Sequence, residues 1–434
     1  MAAFKSEFEV KRLRCAGLDV HKKLVVAAII DTDPETLEAS YRVKKFSTMN
    51  DDILALKDWL LENDCKDVCM ESTGKYWIPI FNTLEPHMDN TVLTHPKYVR
   101  AIKGKKTDRR DAKWIANLFR FDIVKSSFIP PADIRAMREL SRYRLKLSHM
   151  ATSEKNRYQN SMTISRIRLD SVLSDPFGKS ASAIMDYLLS SENIDDGKIL
   201  SMVDRRVKAS REDILRSVHG FKILAEQRFK MEHAQSHLDL IDASIKEIND
   251  EISKLCAPYA EQVRNIATVP GITNLSASYL IAEFGTDMSV FESDKHFISW
   301  CGVCPASDSS ASKNKSVRIG KGGRYLKPML VQCAHAAVKD KKNPYYAIKY
   351  KQIAKRRGKK KAIIAIARMM LTSIYHILED GTTWLPCDYE DIVHPKKAKK
   401  VVLNMDNAIQ FLREQGADPD TLNMIQQQCS AKTD

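Results

Sequence analysis

The sequence predicts an α/β domain at the N-terminal end followed by a long helical remainder, so the fold class is α/β plus α. Three observations carry this. Short apolar runs rich in β-branched residues alternate with an amphipathic helix over roughly the first 95 residues. From about residue 134 the apolar spacing becomes helical and stays so. Within that stretch Leu238, Ile241, Ile245, Ile248, Ile252 and Leu255 recur at intervals of 3, 4, 3, 4 and 3, the seam of a coiled coil.

Taken in order, Cys15-Ala16-Gly17-Leu18-Asp19-Val20 and Leu24-Val25-Val26-Ala27-Ala28-Ile29-Ile30 read as buried strands, with His21-Lys22-Lys23 as the turn between them. Residues 50–63 read as a helix whose apolar face carries Ile53, Leu54, Leu56, Trp59 and Leu60. Asp67–Glu71 and Thr91–Thr94 read as further short strands, the first ending at Ser72-Thr73-Gly74. No Pro or Gly interrupts 222–256, so one long helix is expected there, packed either on its own domain or on a partner helix. Residues 264–285 read as two helices about Pro270-Gly271, a helix-hairpin-helix whose turn offers N–H groups to a phosphate. Residues 307–323, polar and rich in Ser, Lys and Gly, read as a loop, and 324–380 as helical again. The expected domains are 1–149, 150–262, 263–384 and an appendage, 385–434.

The 434 residues carry a formal charge of +14 with 44% hydrophobic residues, enough for ordinary cores and strongly basic outside them. Such an excess of Lys and Arg favours a polyanionic partner, because each phosphate it neutralises releases counterions. The start, Met1-Ala2-Ala3-Phe4-Lys5, has no secretory apolar core, and no segment reads as a bilayer span. The nine cysteines form no framework, which fits reduced thiols and a cytoplasmic protein acting at the nucleoid. Cys301-Gly302-Val303-Cys304 has the CxxC form, but Cys333 and His335 complete no familiar zinc spacing, so structural thiols are expected.

Four carboxylates fall where phosphoryl chemistry would use them. Asp19 lies in the first strand, and Glu71 ends a later one. Asp108 and Asp111 stand three apart, on one face of a helix that Thr107 would cap. Hard oxygen donors converging from strand ends and a helix start suit one or two Mg²⁺ (or Mn²⁺) ions. The plainer reading is four surface acids, with Asp108 and Asp111 paired to their basic neighbours. Those neighbours include Lys103, Lys105, Lys106, Arg109 and Arg110, a stretch suited to gripping a phosphate backbone.

The segments Gly17–Lys22, Met70–Trp77 and Lys106–Ala112 closely resemble the N-terminal domain of DEDD transposases of the insertion sequence 110 family, related to the Piv invertase. Ile266–Ile272, Gly302–Pro305 and Arg318–Leu326 resemble that family's second domain, in the family's order. The resemblance implies an RNase H-like (RuvC-like) N-terminal domain with Asp19, Glu71, Asp108 and Asp111 as a metal-binding tetrad. It implies a mostly helical C-terminal domain carrying a nucleophilic serine five positions after Pro305, which selects Ser310. Ala311 stands where the family usually has glycine, so Ser309 and Ser312 remain alternatives. Lys313, Arg318, Lys321 and Arg324 would then lie near the phosphate, to neutralise it or to hold the backbone at a distance.

The implied enzyme is a transposase or site-specific recombinase. Its partners would be donor and target DNA, a bridge-type guide RNA and further copies of itself, as a dimer or tetramer, with no membrane. The rival readings are a RuvC-like endonuclease that uses water and a non-enzymatic nucleic-acid-binding scaffold.

Overall fold

The computed structural model describes residues 9–99, 107–191, 193–305, 309–310, 313–314, 319, 322–394 and 405–430. They divide into two compact units, Met1–Pro258 with Tyr279–Val290, and Tyr259–Ser278 with Phe291–Asp434.

The first unit is built on a five-stranded mixed sheet, the arrangement expected of an RNase H-like domain. Strands β1 (Arg14–Val20), β2 (Leu24–Thr32) and β3 (Ala39–Ser47) form an antiparallel meander. β4 (Asp67–Glu71) and β5 (Asn90–Thr94) add to it in parallel with β1, giving the order β3-β2-β1-β4-β5. β1 and β2 are buried almost throughout, as their unbroken apolar runs require. β3, at the edge, alternates instead and exposes Lys44 and Lys45, which discourages further strand pairing.

Successive β1 side chains point to opposite faces. Ala16, Leu18 and Val20 join the larger core with Val25, Ala27, Val68 and Met70, covered by α1 (Asn50–Glu62) and α2 (Trp77–Leu84). Cys15 on the other face joins Ile30 and Cys69 beneath α3 (Asp108–Arg120), which supplies Ile115, Ala116 and Phe119. Gly17 lies directly under α3. A Cβ on it would stand 2.3 Å from both the Ala112 carbonyl oxygen and the Ala116 nitrogen, so only glycine lets the helix approach this closely.

Beyond the sheet, α4 (Ala132–Ile164) runs to a small helical cap containing α5 (Lys179–Ser190), and α6 (Ala225–Leu255) returns. α4 and α6 are antiparallel: Arg144 meets Asn249 at 2.8 Å, Glu154 meets His237 at 3.5 Å, and Tyr158 and Met162 share the cap core with Met231 and Ala234. The heptad-bearing helix thus packs on a helix of its own chain. Leu238, Ile241 and Ile252 are buried, while Ile245, Ile248 and Leu255 keep partial exposure.

The second unit gathers α7 (Ala260–Ala267), α9 (Asp294–Trp300), α10 (Leu326–Ala337) and α11 (Tyr345–Arg357) around α12 (Lys359–Asp380). The boundary between the units falls inside α8 (Asn274–Phe284). α12 corrects one expectation: it is long and apolar enough to cross a bilayer. Ala362, Ile366, Met370 and Ile374 along it are nonetheless fully buried inside the unit, as in the core helix of a globular domain. α7 and α8 lie on either side of Pro270-Gly271, as the sequence indicates. A Cβ on Gly271 would lie 2.4 Å from the Cys333 carbonyl oxygen, so that glycine serves the approach of α10.

Candidate functional site

The ends of two neighbouring strands and the start of one helix place the acids. Leu18 pairs with Met70 across β1 and β4, so Asp19 and Glu71 follow side by side on the face that α3 covers. Glu71 accepts a hydrogen bond from the Thr73 hydroxyl at 3.2 Å. α3 begins where the sequence indicates, with the Thr107 side chain accepting from the Arg110 backbone N–H. Asp108 and Asp111 occupy its first turn, where the helix dipole favours negative charge. Because Gly17 lets α3 lie against β1, this turn sits over the end of that strand.

Asp19 is 6% exposed, and burial holds its carboxyl above the usual carboxylate range. The nearby His21 pulls it back down, and the charges of Asp111 and Asp108 push it up further. His21 Nε2 lies 3.1 Å from Asp19 Oδ2 and 3.6 Å from Asp108 Oδ1. One donor atom each from Asp19, His21 and Asp108 falls within a mutual 4.8 Å, close enough for a single cation. Glu71 and Asp111 lie outside that trio of donors.

From sequence His21 reads only as part of a turn. Its proximity to Asp19, two residues earlier across the strand end, is the one signal that could mark it. Arg109 and Arg110 are exposed on α3 beside the acids. Lys103, Lys105 and Lys106 lie outside the described residues.

In the second unit the segment expected to be a loop contains paired backbone. Pro305 bridges Ile319, and β6 (Ser309–Ser310) pairs antiparallel with β7 (Lys313–Asn314), setting Ser310 opposite Lys313. Arg318, Lys321 and Ser312 lie outside the described residues, and Arg324 is exposed at the foot of the segment. Two glycines close that foot. Gly302 and Gly323 both have positive φ, and a Cβ on Gly323 would stand 2.1 Å from the Cys301 carbonyl oxygen. Cys301 and Cys333 are buried and Cys304 half-buried, and among the described residues none joins a metal-ligand cluster.

This close backbone approach yields a prediction. Gly323→Ala should force the two ends of the segment apart and destabilise the second unit by about 3 kcal/mol or more. Denaturant unfolding checks this, and a variant that keeps the wild-type midpoint would refute it.

A transposase family model, DEDD_Tnp_IS110, matches residues 16–165, and a second, Transposase IS116/IS110/IS902 family, matches 263–351. The chain belongs to the IS110 family of transposases. No curated protein matches it. The first match to this IS110 transposase takes in Asp19, Glu71, Asp108 and Asp111, and the second takes in the paired segment about Ser310. As a member of that family the protein is a DNA transposase or recombinase, and its substrate is DNA.

Proposed function

We propose that this IS110 transposase cuts and exchanges DNA strands with Ser310 as nucleophile and with divalent metal, Mg²⁺ or Mn²⁺, held by Asp19, Glu71, Asp108 and Asp111. The observation that carries the reading is the convergence of Asp19 and Asp108, with His21, within a mutual 4.8 Å at the end of β1. The donors suit the ion. Carboxylate oxygens match either metal, and the His21 imidazole is a donor that Mn²⁺ accepts more readily than Mg²⁺. A cation would also relieve the burial cost that raises the Asp19 carboxyl.

A bound divalent ion supplies Lewis acidity toward a phosphodiester. Ser310 supplies the attacking oxygen. Its Oγ bonds to phosphorus and gives up its proton, one ester oxygen of the DNA strand leaves and takes up a proton, and the strand stays linked to the protein as a serine phosphodiester. Attack by another strand's hydroxyl reverses this step and rejoins the DNA without an external energy source. Asp111 and Glu71 complete the tetrad, and Arg318, Lys321 and Arg324 neutralise the phosphate. A bridge-type guide RNA selecting the DNA, and assembly into a dimer or tetramer, complete the proposal. The partly exposed heptad positions Ile245, Ile248 and Leu255 support the assembly.

The test is covalent trapping. Protein, RNA and junction DNA incubated with Mg²⁺ and then denatured should yield protein linked to DNA, lost in Ser310→Ala and in Asp108→Ala, with the cross-linked peptide containing Ser310. Cleaved DNA without any adduct would replace this reading with the water-using endonuclease. An adduct surviving in Ser310→Ala would move the nucleophile to Ser309 or Ser312.

A further inference from the structure

Between Lys341 and Leu378 the chain carries eleven Lys and Arg residues and no Asp or Glu. Most of this charge gathers where α11 ends and α12 begins. Lys355, Arg356, Arg357, Lys359, Lys360 and Lys361 are all exposed there, about Gly358. None of the six has an ion-pair partner among the described residues, whereas Lys349, earlier on α11, is held by Asp388 at 2.5 Å. The corner begins beyond residue 351, where the second family match ends.

Half of this charge opposes local helix preference. Lys355, Arg356 and Arg357 suit the C-terminal end of α11, where the dipole favours cations. Lys359, Lys360 and Lys361 occupy the first turn of α12, where the dipole disfavours them. That turn has no acidic residue and no side-chain cap. An anion seated on the corner relieves both the mutual repulsion and the uncapped N–H groups.

We propose that this corner grips the phosphate backbone of duplex DNA without reading its sequence. Two features favour a duplex over single-stranded RNA. The charges are fixed on two helices, and residues 351–361 include no aromatic ring, whereas single-strand recognition relies on aromatic stacking platforms. The inference stands on the DNA activity of the family and is independent of the serine and metal chemistry.

The experiment measures binding of the full chain to a labelled DNA duplex of arbitrary sequence, and to a structured RNA, across a range of salt concentrations. The variant is Lys355→Gln/Arg356→Gln/Lys359→Gln/Lys360→Gln, with Lys230→Gln/Lys246→Gln on the exposed side of α6 as a charge control and thermal melts to verify folding. The slope of log affinity against log salt should shrink by about 0.9 for every phosphate that the variant no longer neutralises, so by roughly 2 to 4 in the variant, and stay put in the control. An unchanged duplex slope in the folded variant would overturn the proposal, as would a slope reduced for RNA alone, which assigns the corner to RNA.

Discussion

Asp19→Asn is expected to lower strand cleavage by about a thousandfold or more and, in metal-free protein, to raise thermal stability. The first effect follows from removing a ligand of the proposed ion, since losing several kcal/mol of transition-state stabilisation costs about tenfold per 1.4 kcal/mol. The second follows from burial. The folded state holds the Asp19 proton more tightly than the unfolded chain does, because desolvation disfavours the carboxylate. Between the ordinary carboxylate pKa and the raised one, the folded state therefore binds more protons. Stability falls as pH rises through that window, and the penalty persists in full above it.

Asparagine carries no such penalty. Metal-free wild type should lose stability as pH rises above the ordinary carboxylate range, and the variant should lose less. Added Mn²⁺ should restore wild type by mass action and leave the variant unmoved. Melting curves across pH, with and without Mn²⁺, decide this. A variant less stable than wild type at neutral pH without metal would show that Asp19 is held by favourable contacts instead.

The second large effect is expected at Gly17. Alanine there places a carbon 2.3 Å from backbone atoms of Ala112 and Ala116, and no side-chain rotation relieves a clash with helix backbone. α3 must lift from β1, at a cost of about 3 kcal/mol or more. The helix carries Asp108 and Asp111, so the lift also separates them from Asp19. Gly17→Ala should therefore both shift the denaturant midpoint and weaken Mn²⁺ binding. A folded Gly17→Ala protein that binds Mn²⁺ with wild-type affinity would refute this account of how the carboxylates are assembled.

Much of this arrangement is legible in the residues. β1, β2, β4 and β5 fall within a residue or two of the apolar runs that announce them, and Thr107 caps α3 as its side chain suggests. β3 is not announced in this way. Tyr41 and Val43 alternate with polar neighbours, but the strand is an edge rich in Arg and Lys, so its apolar signal is thin. His21 escapes because a polar triplet between two strands reads as a turn whether or not one of its members reaches back to a carboxylate. The segment about Ser310 looks unstructured in sequence because its pairing is backbone to backbone and leaves no side-chain pattern. The heptad spacing does not specify which helix packs on it, and α4 of the same chain lies along that helix.

α4 has 33 residues and contains neither Gly nor Pro. At about 1.5 Å per residue its two ends are some 50 Å apart. One end is fastened beside the sheet, where Arg135 pairs with Glu85 at 2.6 Å, and the other is set in the cap core through Tyr158 and Met162. With α6 laid along it, it is a stiff rod with both ends clamped. Such a rod works as a gauge: it keeps the cap core at a set remove from the sheet that bears the carboxylates. It also works as a lever, since tilting its base by one degree sweeps its tip through about 1 Å.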